Sequence, residues 1–181
     1  MSKVIIFPTD TVYGIGASIF DKEGQARIYD IKHRDKSKPL AVLCASLNQI
    51  EEIAIVNIKA KKLIQRFLPG ALTLILPAKD KVKDIMGIPT IGVRIPNSKL
   101  ALKILTENGA MATTSVNESG EKPLDTYEEI KAVYGNLVDE IYEKEEESSH
   151  ISSTVVSLIG DDVKLLREGS ITLKEIENYL K

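Results

Sequence analysis

The sequence contains one cysteine, two histidines and no tryptophan among its 181 residues. Cys44 alone cannot form an intrachain disulfide, and its apolar neighbours predict a buried small side chain. Covalent hydrolase chemistry is disfavoured because neither His33 nor His150 lies in a nucleophile-elbow motif. No run approaches the roughly 18 apolar residues of a membrane span, and the opening MSKVIIFP is too short for a signal peptide. These absences predict a cytoplasmic protein with no membrane contact.

The signature motifs of several large enzyme classes are also missing. There is no GxxxxGK[ST] phosphate loop, no HExxH zinc motif and no paired CxxC, and GIG at residues 14–16 lacks the third glycine of a dinucleotide fingerprint. The net charge of −2 is not that of a polycation, so any nucleic-acid role would need a local basic patch. The acidic run EKEEESSH, residues 143–150, is predicted to be a solvated loop or sheet edge without a site.

The remaining pattern is that of one mixed α/β domain over residues 1–181. Seven apolar runs predict strands: KVIIFP, PLAVLC, LTLILP, IGVRIP, AMATTSV, STVVSLI and VKLLRE. Helical segments lie between many of them, with capping boxes predicted at Ser46–Gln49, Thr126–Glu129 and Thr172–Glu175. The stretch LIGDDVKLL predicts a hairpin, which makes part of the sheet antiparallel.

Polar clusters at the ends of these strands predict a ligand site. They are FPTDTVYGIG (7–16), KHRDKSKPL (32–40), TTSVNESGEKPLDT (113–126), SSTVV (152–156) and LLREGS (165–170). Each cluster alone is compatible with a plain turn or solvated loop, and Thr126 with a simple helix N-cap.

Arg94 is harder to explain as an ordinary exposed side chain, because it lies between the apolar residues Val93 and Ile95 and needs a partner if it is buried. Three arrangements are open: the solvent face, a pair with Asp10, or a bound anion. Strand ends in α/β sheets converge on a crevice, so the clusters together predict an enzyme that binds phosphate or carboxylate.

In combination these stretches resemble the YrdC/TsaC family of L-threonylcarbamoyladenylate synthases. The matching elements, in the family's order and over nearly the whole chain, are FPTDTVYGIG, IYDIKHRDKSKPLAVL, FLPGALTLIL, IGVRIPNS, TTSVNESGEKPLDT, SSTVVSL and LLREGSI. The resemblance implies a twisted mixed sheet flanked by helices, with a central positively charged cleft. It also implies the short, single-domain type of the family, without a C-terminal extension domain.

The activity that the resemblance implies is the formation of threonylcarbamoyl-AMP and pyrophosphate from L-threonine, bicarbonate and ATP. The product is expected to pass to proteins that transfer the threonylcarbamoyl group to adenosine 37 of tRNA. Mg²⁺ is expected to arrive with ATP, without dedicated protein ligands. The rival interpretation is a module that binds double-stranded RNA or tRNA through phosphate contacts and has no adenylating activity.

The resemblance further implies roles for individual residues. Lys32 and Arg34 are expected to be catalytic. The residues expected to contact ATP are Arg34, Lys38, Thr90, Ser115, Asn117, Thr126 and Arg167. The residues expected to contact L-threonine are Thr9, Arg94 and Ser153, with Thr11 as the alternative to Thr9. Three positions depart from the family's pattern: Leu43 replaces the histidine that some relatives carry near threonine, Lys38 replaces an asparagine, and Val116 replaces the commoner alanine between Ser115 and Asn117. The stretch SGEKPLDT is also one residue longer than usual, which affects the match to Thr126.

Overall fold

The computed structural model describes residues 2–181, whose strands form one nine-stranded sheet. The strands are β1 (Val4–Phe7), β2 (Gly14–Ser18), β3 (Ala41–Leu43), β4 (Leu72–Pro77), β5 (Thr90–Arg94), β6 (Met111–Ser115), β7 (Glu140–Ile141), β8 (Thr154–Ser157) and β9 (Lys164–Arg167). Their order across the sheet is β7-β1-β2-β6-β3-β5-β4-β8-β9. The pairs β7/β1, β3/β5 and β4/β8 are parallel and the other pairs are antiparallel, which confirms the predicted mixed sheet.

Helices cover the two faces of this sheet unequally. They are α1 (Lys22–Ile31), α2 (Leu47–Ile53), α3 (Ile58–Phe67), α4 (Asp80–Met86), α5 (Lys99–Asn108), α6 (Tyr127–Tyr134) and α7 (Leu173–Leu180). Alternation along β1 distinguishes the faces, because Ile5 and Phe7 pack with α5, whereas Val4 and Ile6 pack with α1 and α6. The remaining helices pack on the same side as α1 and α6. The face that carries α5 is therefore left partly open.

The predicted hairpin is confirmed, since β8 and β9 pair antiparallel. Of the three predicted capping boxes, only Thr172–Glu175 is reciprocal. The Ser46 and Thr126 side chains do cap α2 and α6. Their partners bond elsewhere, however: Gln49 accepts from the amide of Ala45, and Glu129 accepts from the Thr126 hydroxyl instead of its backbone N–H. Of the helices in residues 2–181, none has the length and apolar character needed to cross a membrane.

Candidate active site

A cavity of about 270 Å³ opens on the α5 side of the sheet, over the middle of the strands. Its floor contains the small residues Gly14 of β2, Ala41 of β3 and Gly92 of β5. The polar clusters at the strand ends do converge on this cavity, since Arg94 ends β5, Ser115 ends β6 and Ser153 precedes β8, but the cavity lies over the sheet face and not beyond one edge. The reason is the mixed sheet: β3 and β5 run opposite to β4 and β6, so the carboxyl ends of the strands share no common edge.

The cavity brings together seven of the residues expected to contact a ligand. They are Thr9, its alternative Thr11, Arg34, Arg94, Ser115, Ser153 and Arg167. Three arginines are thus among the described lining residues, which include no Asp or Glu. Such a lining suits an anionic ligand, because Arg binds carboxylate or phosphate through paired N–H groups.

Gly14 and Gly16, the two glycines of the FPTDTVYGIG stretch, lie inside β2. A Cβ at Gly14 would lie 2.7 Å from Thr113 Cγ2, and one at Gly16 would lie 2.8 Å from Thr113 Oγ1. Both glycines therefore make room for the Thr113 side chain of the neighbouring strand β6. Thr113 lines the cavity, so these glycines shape the site through it.

Arg94 ends β5 and is only 5% exposed. Its Nε donates to the carbonyl of Gly70 (2.9 Å), its Nη1 to Thr11 Oγ1 (2.8 Å), and its Nη2 to the Asp10 carboxylate. Of the three arrangements left open by the sequence, the pair with Asp10 is the one observed. Burial lowers the pKa of Arg94 and the Asp10 carboxylate opposes that shift. The guanidinium has more N–H groups than these contacts use, so it retains donors for an anion in the cavity.

The two threonines of the opening motif have different tasks. Thr9 Oγ1 donates to the carbonyl of Val12 (2.7 Å) and accepts from the amide of Thr11 (3.2 Å), so it holds the turn. Thr11 Oγ1 is the hydroxyl that contacts Arg94. Both line the cavity, but the geometry places Thr11, the alternative in the sequence analysis, beside the charged group.

Residues 143–150, here called the strap, contact the site. His150 N donates to the carbonyl of Thr11 (3.1 Å), and His150 Nδ1 lies 2.7 Å from Asp125 Oδ1. Glu146 Oε2 accepts the first backbone N–H of α5 at 3.0 Å. The strap is a largely exposed loop outside the cavity lining, as predicted, and its contacts tie the opening turn, α5 and the 113–126 segment together.

A second set of contacts links β8 and β9 to the cavity. Arg167 Nε donates to the carbonyl of Ser153 (3.0 Å) and its Nη2 to Ser153 Oγ (3.3 Å). Ser153 Oγ in turn lies 2.8 Å from Thr73 Oγ1. Sequence reasoning missed Thr73, which is the one hydroxyl-bearing residue of β4. The sequence offered one indication of a role for Thr73, namely a single threonine in an otherwise apolar strand. That pattern does not reveal which sheet face the side chain occupies.

Lys32 is 1% exposed, so the solvated-loop interpretation of the KHRDKSKPL cluster does not hold for its first residue. It follows the last residue of α1 and its Nζ donates to the carbonyls of Ser115 and Asn117, both at 2.5 Å, and to Asn117 Oδ1 at 3.3 Å. Burial, with a smaller contribution from Arg34, lowers the pKa of Lys32 to about 8, and Glu118 opposes the shift. Lys32 thus anchors the start of the 113–126 segment.

The other expected ATP contacts are placed less uniformly. Arg34 lines the cavity and donates to the carbonyls of Lys38 (3.0 Å) and Pro39 (3.1 Å). The Lys38 side chain is exposed and not part of the lining. Thr90 shares a strand face with Gly92 but lies beyond the lining residues. Thr126, also outside the lining, is the exposed N-cap of α6.

The cavity has two polar ends. Strand register places Arg94 beside Leu43 and Met111, whereas Ser115 lies four residues further along β6 beside Gly14. At the usual strand rise this separation is ~13 Å. Arg167, expected to contact ATP, contacts Ser153 and not the group formed by Lys32, Ser115 and Asn117. The site can therefore accommodate an elongated ligand with anionic groups at both ends.

Two further features concern other kinds of chemistry. Cys44 is fully buried, as predicted, and burial raises the pKa of its thiol to about 12. Within residues 2–181, no group of three or more His, Cys, Asp or Glu side chains is arranged to hold a metal ion.

Comparison with known proteins identifies the family. The model for Sua5, YciO and YrdC proteins, described as "Telomere recombination", matches residues 1–169. The chain belongs to the Sua5/YciO/YrdC family. This confirms the resemblance that was found from the motifs.

Curated members of the Sua5/YciO/YrdC family match nearly the whole chain. A putative threonylcarbamoyl-AMP synthase of Methanocaldococcus jannaschii is 34% identical over 174 residues, which are 96% of this chain and 83% of that protein. The threonylcarbamoyl-AMP synthase of Bacillus subtilis is 36% identical over 181 residues, which are 97% of this chain and 52% of that protein. The chain thus spans most of the first relative and about half of the second.

Solved structures of the family confirm the fold. P. abyssi Sua5 complexed with L-threonine matches with a TM-score of 0.92 and 34% identity, covering 98% of this chain and 54% of that one. E. coli YciO matches with a TM-score of 0.87 and 28% identity, covering 97% of this chain and 87% of that one.

Proposed function

We propose that this protein forms threonylcarbamoyl-AMP and pyrophosphate from L-threonine, bicarbonate and ATP. The observation that carries the proposal is one cavity with two polar ends, Arg94 with Thr11 at one and Ser115, whose carbonyl accepts from Lys32 Nζ, at the other. The similarity to a Sua5 structure that holds L-threonine supports it. The names of the relatives favour a synthase over the rival RNA-binding module.

The Arg94 end is suited to the amino acid. The retained N–H groups of Arg94 would bind the threonine carboxylate, and the Thr11 and Ser153 hydroxyls would supply neutral hydrogen bonds around it. Because Arg94 is already held by Asp10 and Gly70, little orientation would be lost on binding. The carboxylate would thereby fix where the threonine amine lies in the cavity.

The reaction has two bond-forming steps. The threonine amine attacks CO₂ derived from bicarbonate, loses a proton and becomes a carbamate. A carbamate oxygen then attacks the α-phosphorus of ATP, and pyrophosphate leaves with the electrons of the broken P–O bond. No protein nucleophile is needed, which agrees with the buried Cys44. Proximity of the bound reactants can contribute up to roughly 7–11 kcal/mol.

Charge stabilisation would come from the basic residues of the cavity. Arg34 and Arg167 would offset charge on the phosphates and the carbamate, while Lys32 would act mainly by holding the backbone at Ser115 and Asn117. Mg²⁺ would enter on the triphosphate, because Asp10, the carboxylate beside the cavity, is engaged by Arg94. The product would pass to tRNA-modifying proteins in the cytoplasm.

Amino-acid selectivity tests the proposed threonine site. A site that hydrogen-bonds a hydroxyl rejects an analogue without it more strongly than an apolar pocket distinguishes one methyl group. Serine should therefore be poorer than threonine by about 10–200-fold in kcat/KM, and 2-aminobutyrate should be poorer than serine. Side-by-side measurement of pyrophosphate release decides this, and 2-aminobutyrate outperforming serine would mean that the pocket recognises the methyl group.

A further inference from the structure

Thr73 occupies an unusual position in the strand β4, whose sequence is LTLILP. Its neighbours Leu72 and Leu74 are fully buried in the core on the helix-rich face. Strand alternation directs Thr73 to the other face, where it is 5% exposed and lines the cavity. A hydroxyl is thus held in a mostly dry location, on the side of the sheet where the ligand is proposed to bind.

The Thr73 hydroxyl is part of a chain of contacts that ends at a charge. Thr73 Oγ1 lies 2.8 Å from Ser153 Oγ, which accepts a hydrogen bond of 3.3 Å from Arg167 Nη2. The second Arg167 contact, from Nε to the Ser153 carbonyl, fixes the same guanidinium at 3.0 Å. Ser153 therefore joins the interior strand β4 to an arginine on the edge strand β9.

We propose that Thr73 is a positioning residue for this site, whose hydroxyl orients the Ser153 hydroxyl and, through it, the Arg167 guanidinium. The proposal rests on the function proposed above and adds one residue to those that position the groups of the L-threonine site. A hydroxyl has one proton to donate and two lone pairs to accept with. When Thr73 donates to Ser153 and Arg167 does the same, both lone pairs of Ser153 are used. The Ser153 proton is then free to point at an acceptor oxygen of the ligand.

A purely steric role for Thr73 makes a different prediction. Its Cγ2 lies 3.2 Å from where a Cβ on Gly92 would be, so its methyl group also shapes the cavity floor. Thr73→Val keeps the branched shape and removes the hydroxyl, whereas Thr73→Ser keeps the hydroxyl and removes the methyl. This matched pair separates the two roles.

The test measures kcat/KM for L-threonine by pyrophosphate release, and L-threonine and ATP affinity by calorimetry, for both variants. One neutral hydrogen bond corresponds to about a threefold to tenfold effect. We expect Thr73→Val to lower kcat/KM for L-threonine and its affinity by that factor, and Thr73→Ser to retain most of both. In a Ser153→Ala background, Thr73→Val should have no further effect, because Thr73 acts through Ser153.

Three results would overturn the proposal. One is a larger loss in Thr73→Ser than in Thr73→Val, which would assign the role to the methyl group. Another is full additivity of Thr73→Val with Ser153→Ala. The third is a Thr73→Val protein that binds and turns over L-threonine like the wild type. A wild-type protein that binds L-threonine but releases no pyrophosphate would instead overturn the proposed function, and the calorimetric comparison would still report on Thr73.

Discussion

Replacing Lys32 by methionine removes a buried ammonium group while keeping an unbranched side chain of similar length. Two opposing contributions to the free energy of unfolding follow. Burying the charge destabilises the folded protein, and the lowering of the Lys32 pKa from 10.5 to about 8 corresponds to a cost of about 3 kcal/mol. Against this, hydrogen bonds from a charged donor contribute about 1.5–3 kcal/mol each, and Lys32 makes bonds to three acceptors, for about 4–9 kcal/mol. The loss exceeds the relief, so the variant should be less stable.

Thermal unfolding measures this difference directly. The net loss is about 1–6 kcal/mol, and in a domain of this size each kcal/mol shifts Tm by about 2–4 °C, so Lys32→Met should lower Tm by roughly 2–24 °C and abolish turnover. Arg34→Met is the matched control, because the carbonyls that Arg34 contacts, those of Lys38 and Pro39, are exposed and can bond to water instead. It should lose turnover with a Tm close to that of the wild type. An unchanged Tm in Lys32→Met would refute the anchoring role.

The same residue gives a pH test with a defined sign. The pKa of Lys32 in the folded chain is about 8, below its ordinary 10.5, so the unfolded chain binds more protons between these values. The cost of the buried charge is present in full below pH 8 and is lost as pH rises to 10.5. NMR of labelled lysine side chains should show one lysine titrating near pH 8 that is missing in Lys32→Met. Titration of every lysine near 10.5 would contradict this burial.

Three other changes have defined outcomes. Asp10→Asn leaves the buried Arg94 without a counter-charge and should cost up to about 3 kcal/mol in urea unfolding; an unchanged midpoint would argue against the pair. Gly92→Ala puts a methyl group on the cavity floor, 3.1 Å from Ile75, and should raise KM for L-threonine; a wild-type KM would show that the ligand binds elsewhere. Cys44, with its pKa raised to about 12, should resist a thiol reagent at pH 8 until the protein is unfolded, and rapid labelling of the native protein would show the burial to be wrong.

The elements that the sequence did not predict have local reasons. Strand β2 was missed because GIGAS has two glycines, which are depleted in strands and enriched in turns. Helix α1 contains the poor helix former Gly24 in its first turn, and its buried positions are Gly24, Gln25 and Ile28, so the segment shows little apolar periodicity. The short helix α4 has one buried residue, Val82. The predicted elements, by contrast, had long apolar runs or clear caps.

The sequence predicted most of the residues of the site, but not their burial or their contacts with one another. Motif order brought Lys32, Ser115 and Asn117 together correctly. Their spacing did not show that Lys32 is buried, because its acceptors lie more than eighty residues along the chain. Two further features depend on strand register and on which sheet face a side chain occupies, and local sequence encodes neither. One is whether Arg94 faces solvent or pairs with Asp10. The other is the contact between Thr73 and Ser153.

Pyrophosphate release with each substrate omitted in turn tests the proposed activity most directly. We expect release from ATP that requires both L-threonine and bicarbonate, and that falls to background when either is left out. Pyrophosphate produced equally well without L-threonine would contradict the account. So would RNA binding that weakens steeply with salt in a protein that releases no pyrophosphate at all, since that outcome belongs to the RNA-binding module.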